Sequence, residues 1–95
     1  MRGTTNAEIR SMLAEALFAS AVQPSESPTP AQIRQAIRTS IIRHTTPGCA
    51  NLVAQEYGEH PLEAIHRMRW VLAALSTAHP QHFRTYDLRL HTRAS

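Results

Sequence analysis

The sequence contains no lysine, one cysteine and five aromatic residues among its 95 positions. A single cysteine excludes an intramolecular disulfide, which agrees with a reducing compartment. No apolar run approaches the roughly 20 residues that cross a bilayer, and the first residues lead into no segment of signal-peptide type. We therefore expect a cytoplasmic protein with no membrane partner.

The composition is that of a folded chain, with 42% hydrophobic and 18% charged residues. Such a balance differs from the polar, highly charged composition of disordered segments. A chain of 95 residues suits one domain. We expect a helical domain over residues 1–78, followed at 79–95 by a basic arm or a short helix.

Positive charge comes from arginine alone, because all ten basic residues are arginines, and the net charge is +3. The excess lies mostly in residues 78–95, which hold three arginines and three histidines against one acid. Arginine without lysine, together with 14 alanines, is also typical of a GC-rich coding background. The arginine count alone is therefore weak support for a nucleic-acid partner.

Four helix starts are legible, each with a polar or proline residue that suits a first turn. Thr5 with Glu8 forms a capping box, and Thr29 precedes Pro30 with Gln32 in the matching place. Thr46-Pro47 and His60-Pro61 start the third and fourth helices. The first helix should run to about Val22, and Gly58 should end the third in the left-handed conformation.

Apolar residues recur at helical spacing in each predicted helix. The longest stripe lies in the fourth, which we expect to be the hub of the core: Leu62, Ile65, Met68, Leu72 and Leu75. The fold class is therefore all-α, a compact four-helix domain, orthogonal or bundle-like, with a short C-terminal helix or arm. In residues 79–95 both a helix and a strand fit the pattern, and a lone strand without a partner is disfavoured.

Residues 51–74 carry the pattern closest to a functional motif. A short helix with Ala54 four residues before Gly58, a turn of about three residues and a second helix are typical of a helix-turn-helix. This pattern predicts a regulatory DNA-binding module. The candidate contacts to bases or phosphates are Arg34, Arg38, His66, Arg67, Arg69, Arg84 and Arg89.

Two features oppose DNA binding at this place. Glu59 stands where such motifs usually hold an apolar residue, and Glu63 would repel phosphate. Arg67 follows Glu63 by four residues, which also suits an ordinary intrahelical ion pair. The alternative is a plain helical hairpin in a protein-interaction adaptor or homodimer with no nucleic-acid role. Its exposed apolar contacts would be Phe18, Trp70, Phe83 and Tyr86.

Signatures of catalysis and of cofactor binding are lacking. No phosphate loop, nucleophile elbow or paired carboxylates on an apolar helical face occur. His79 and His82 are a single weak pair, whereas a structural zinc site normally has two close pairs. We expect no enzyme, no metal, no cofactor, and see no evident small-molecule substrate.

Four short segments together resemble a group of small helical proteins from streptomycete-like actinobacteria. They are residues 16–20 (ALFAS), 23–25 (QPS), 53–61 (VAQEYGEHP) and 67–70 (RMRW). The resemblance covers about residues 8–75. It implies an actinobacterial origin and a cytoplasmic setting, and it carries over no activity and no functional residue, because that group has none established.

Overall fold

Helices make up most of residues 5–83, the part of the chain that the computed structural model describes. Their bounds are α1 (Asn6–Ala19), α2 (Pro30–Glu59) and α3 (Pro61–Ala78), with a 3-10 turn at Pro24–Glu26. Residues 80–83 are again helical. No strand occurs within this range, so the predicted all-α class is confirmed.

The first two helix starts form as the sequence predicts. The Glu8 amide donates to Thr5 Oγ1 (3.1 Å), and the Thr5 amide donates to Glu8 Oε1 (2.9 Å). Thr29 and Gln32 make the same reciprocal pair at 3.2 and 2.9 Å. Two otherwise unsatisfied amides are paired at each start, which fixes where the helix begins. The first helix ends at Ala19 rather than at Val22.

A break at Thr45 divides α2 into a first arm (residues 30–44) and a second arm (residues 46–59). Thr45 has φ 65° and ψ 167°, a left-handed conformation that is rare for a β-branched residue. Its hydroxyl caps the second arm by accepting from the Gly48 amide (3.3 Å), and the Cys49 thiol donates across the break to the Ser40 carbonyl (3.8 Å). The predicted third helix is this second arm, with its cap one residue earlier than expected.

One residue, His60, joins α2 to α3. Its φ of −138° and ψ of 66° lie outside the helical region, as suits a residue that precedes proline. Gly58 was expected to end the helix in the left-handed conformation, and this prediction is wrong. Gly58 is helical without a positive φ, and the helix continues to Glu59. The expected three-residue turn is therefore absent between these two helices.

The core is built by all three long helices. Its largest fully buried side chains are Leu17 of α1, Cys49 of α2, and Val71 and Leu75 of α3. Ile33 and Ile37 lie on the buried face of the first arm. None of the helices in residues 5–83 is long and apolar enough to traverse a bilayer.

The buried face of α3 is rotated from the predicted stripe. Ala64, Val71, Leu75 and Ala78 are buried, whereas Leu62 is 68% and Ile65 39% exposed. Buried alanines at both ends of the helix let a neighbouring element approach closely. Because α3 packs with its alanine side against the rest of the domain, Leu62 and Ile65 remain at the surface.

Candidate functional site

Arg67 of α3 turns inward and covers the end of α1. Its Nε donates to the Phe18 carbonyl (2.8 Å), and its Nη2 lies within bonding distance of the carbonyls of Ser20 (3.0 Å), Val22 (3.0 Å) and Leu17 (3.4 Å). The last carbonyls of a helix have no partner in the helix itself. A cationic side chain is also favourable there because helix C-termini carry partial negative charge.

Aromatic rings enclose the same guanidinium. Its central carbon lies 5.6 Å from the Phe18 ring centroid and 5.4 Å from that of Trp70, within range of cation–π attraction. Burial lowers the pKa of Arg67, because partial removal from water disfavours the charged form. Arg67 was predicted as an exposed nucleic-acid contact or a partner of Glu63. Instead its hydrogen bonds go to the backbone of this chain.

The corner between α2 and α3 exposes apolar and acidic side chains together. We define the corner surface by six residues: Glu56, Tyr57, Glu59, Leu62, Glu63 and Ile65. Leu62 is the most exposed of its apolar members, and Tyr57 is 37% exposed. Three carboxylates stand within eight positions of one another, at 56, 59 and 63. Arg67 is not one of these six residues, but it is only half-buried and lines a cleft together with Glu56 and Glu63.

A cleft of about 330 Å³ opens beside the corner surface. Phe18, Leu52 and Ala64 contribute apolar lining. Glu56 and Glu63 contribute carboxylates, and Arg67 contributes its guanidinium. The rings of Phe18 and Tyr57 stack with their centroids 6.2 Å apart. This stack connects the buried Phe18 at the end of α1 to the exposed Tyr57 of the corner surface.

The remaining predicted nucleic-acid contacts lie on separate helices. Arg34 and Arg38 are exposed on the first arm, and His66 and Arg69 are exposed on α3. Arg34 Nη1 donates to the Ala78 carbonyl at the end of α3 (3.2 Å), and Arg38 Nη2 donates to Gln35 Oε1 (3.0 Å). The predicted contacts Arg84 and Arg89 lie outside the described residues.

The predicted apolar partner contacts are corrected at two positions. Phe18 and Phe83 belong to the core, each only 5% exposed, so neither is available to a partner. Trp70 is half-buried and packs against the core beneath Arg67. Tyr86 lies outside the described residues. The exposed large apolar residues of the described range lie elsewhere: Ile42 (82% exposed) on the first arm of α2, Tyr57 on the second arm, and Leu62 and Ile65 on α3.

Burial shifts the pKa values of His79 and Cys49 in the direction of their neutral forms. The rings of His79 and His82 lie 6.4 Å apart, and burial lowers the pKa of His79, with further lowering by the positive charges of His82 and Arg34. Burial, and secondarily Glu15, raises the pKa of the Cys49 thiol, which disfavours the reactive thiolate. Across residues 5–83, no group of three or more potential metal ligands comes together.

Sequence reasoning missed the corner surface because it assigned Leu62 and Ile65 to the core. The signal that points to it was present in Glu56, Glu59 and Glu63, whose spacing concentrates negative charge around one helix junction. In the predicted helix-turn-helix, Glu59 and Glu63 count only as obstacles to DNA binding. Together with the adjacent Leu62 and Ile65, the three acids form a surface that is both acidic and apolar.

Comparison with known proteins adds no relative. No protein-family model, no curated protein and no solved structure matches the chain. The resemblance to small actinobacterial proteins therefore stays a prediction.

Proposed function

We propose that this protein is a non-catalytic interaction module whose partner is a protein segment presenting basic and apolar side chains to the corner surface. One observation carries this proposal. Leu62 and Ile65 are exposed within the same ten residues as Glu56, Glu59 and Glu63, while Arg67 is occupied by backbone carbonyls.

The energetics favour such a partner over a phosphate backbone. Covering the exposed parts of two large aliphatic side chains contributes on the order of 1 kcal/mol each. Carboxylates at the edge of that contact attract arginine or lysine and reject phosphate, so they supply specificity and a faster encounter. A helix that docks apolar anchors three residues apart, as Leu62 and Ile65 are, fits a common mode of peptide recognition.

The experiment is a selection of random displayed peptides on the folded protein, followed by affinity measurement of the enriched peptides. We expect enriched peptides to carry arginine or lysine next to apolar residues. Leu62→Asn and the double change Glu59→Gln with Glu63→Gln should each weaken their binding about tenfold. Raised salt should weaken the interaction by less than it weakens protein–DNA complexes.

Arg38→Gln is the matched control, because Arg38 is equally exposed but lies on the first arm of α2. Its peptide affinity should equal that of the unchanged protein. Enriched peptides that bind the Leu62→Asn protein as well as the original would contradict the proposal. Light scattering run beside the selection shows whether the partner is a second copy, because a dimer that Leu62→Asn dissociates uses the same surface.

Duplex DNA is the second candidate, and exposed Arg34, Arg38 and Arg69 favour it. Arginines that contact phosphates release counterions, so the affinity for random duplex should fall steeply with salt. The double change Arg34→Gln with Arg38→Gln should then flatten that slope, whereas Leu62→Asn should leave it unchanged. Lack of measurable DNA affinity at low salt removes this candidate.

A further inference from the structure

A second cleft, of about 460 Å³, lies between the loop that follows α1 and the first arm of α2. We call it the loop cleft. Its apolar lining comes from the loop and from the arm, through Ala19, Ala21, Val22 and Ala36. Its size falls within the range of about 300–1,000 Å³ that small-molecule sites occupy. It is separate from the corner surface and shares none of its residues.

The polar lining of the loop cleft is rich in donors and holds no carboxylate. Arg43 and His44 line it near the break in α2, and Gln35, Thr39 and Ser40 line it along the arm. Gln35 Oε1 already accepts from Arg38, which leaves its amide nitrogen as a donor. An apolar lining with several donors and a permanent positive charge is complementary to an anion that carries a hydrocarbon body.

Ser40 gives independent support. It is the one buried polar residue among the described ones, only 3% exposed, and yet it lines the cleft. The hydroxyls of Ser20, Ser76 and Thr77 each donate to a carbonyl three residues earlier, whereas the Ser40 hydroxyl makes no such bond within residues 5–83. No fully buried side-chain oxygen or nitrogen in that range lacks a partner, and Ser40 lines the cleft, so we assign its hydroxyl as a donor to a ligand there.

The negative end of α1, which borders the cleft, is already neutralised. Arg67 donates to the carbonyls of Phe18, Ser20 and Val22, and the Ser20 hydroxyl donates to that of Leu17 (2.7 Å). Those carbonyl dipoles would otherwise oppose an anion. With those carbonyls covered, Arg43 supplies a permanent positive charge to the cleft lining.

We propose that the loop cleft binds a small organic anion with an apolar body, such as an alkyl carboxylate. The carboxylate accepts from Arg43 and from the Ser40 hydroxyl, and the hydrocarbon lies against Ala36 and Val22. The proposal stands apart from the proposed function, since it uses neither the corner surface nor its partner.

The test is a titration of the full chain with hexanoate, followed by amide chemical shifts in NMR. Saturating shifts should be concentrated at Val22, Ser40 and Arg43. Hexylamine, which has the same hydrocarbon and the opposite charge, should produce no saturating shift at those amides. Arg43→Gln should weaken hexanoate binding about tenfold, because it removes a charge-assisted hydrogen bond.

Arg69→Gln is the control, since it removes an equal charge from α3, away from the cleft lining, and it should change the affinity by less than about twofold. Ala36→Leu should abolish binding by filling the apolar part of the cleft, with the fold confirmed by its spectrum. Equal losses in Arg43→Gln and Arg69→Gln, equal binding of hexylamine, or unsaturable shifts spread over the surface would overturn the proposal.

Discussion

Replacement of Arg67 by methionine is expected to loosen the end of α1 while keeping most of the apolar contact of the side chain. Methionine retains an unbranched, flexible stem of similar reach but offers no donor. The carbonyls of Phe18, Ser20 and Val22 then lose the guanidinium, whereas the Leu17 carbonyl keeps the amide and hydroxyl of Ser20. Three acceptors must therefore turn to water.

The size of the effect follows from those three carbonyls. A hydrogen bond to a charged group contributes about 1.5–3 kcal/mol when it is shielded from water. Arg67 is only half-buried, so water replaces part of each bond, and we expect a total loss of about 3 kcal/mol. A domain of this size has a free energy of unfolding of about 5–10 kcal/mol. The variant should therefore fold, with its melting temperature lowered by roughly 12–24 °C.

The assay is thermal and urea unfolding of Arg67→Met beside Arg38→Met. Arg38 is exposed and bonds only Gln35 within the described residues, so its loss should cost less than about 0.5 kcal/mol. Hydrogen exchange of amides in residues 20–23 should accelerate in Arg67→Met alone, since that loop is held by the guanidinium. Equal stabilities of the two variants would refute the role assigned to Arg67.

Three further outcomes are expected. Leu17→Ala should lower the free energy of unfolding by about 2–5 kcal/mol, because Leu17 is fully buried. Leu62→Ala should change it by less than about 0.5 kcal/mol, because Leu62 is exposed. Urea denaturation measures both variants, and the Leu62→Ala result tests the rotated face of α3. Gly58→Ala should raise the free energy of unfolding in urea by about 0.5–1 kcal/mol, because Gly58 is helical and an added methyl meets no atom within 4 Å. A lower stability would indicate that Gly58 ends the helix in the left-handed conformation after all. The folded-state pKa of His79 is lowered, so the unfolded chain takes up that proton first as the pH falls. Stability present above pH of about 6.5 should be lost as the pH drops toward the lowered pKa, and His79→Gln should lose less than the original between about pH 7 and pH 5.5.

Local chemistry was predictable from the sequence. Thr5 with Glu8 and Thr29 with Gln32 cap their helices as their spacing predicts, because a capping box depends only on residues within one turn. The break before Pro47 was predicted for the same reason. These features need no knowledge of where the rest of the chain lies.

The choice of buried face was less predictable because it depends on how closely helices approach. Leu75 of the predicted stripe is buried, but Leu62 and Ile65, which residue size favoured as core, are exposed. Ala64 and Ala78 are buried as well. The inward turn of Arg67 depends likewise on where the end of α1 lies, 45 to 50 positions away in the sequence. Periodicity cannot express either relation, since both arise from contacts between distant segments.

The left-handed Thr45 has a consequence for the whole domain. An unbroken helix of 30 residues is about 45 Å long, too long for both ends to reach one small core. The break at this single residue lets Ile33 and Cys49, 16 positions apart, belong to the same hydrophobic core. A substitution that made the helix continuous through Thr45 would therefore remove one arm of α2 from the core rather than perturb a single turn.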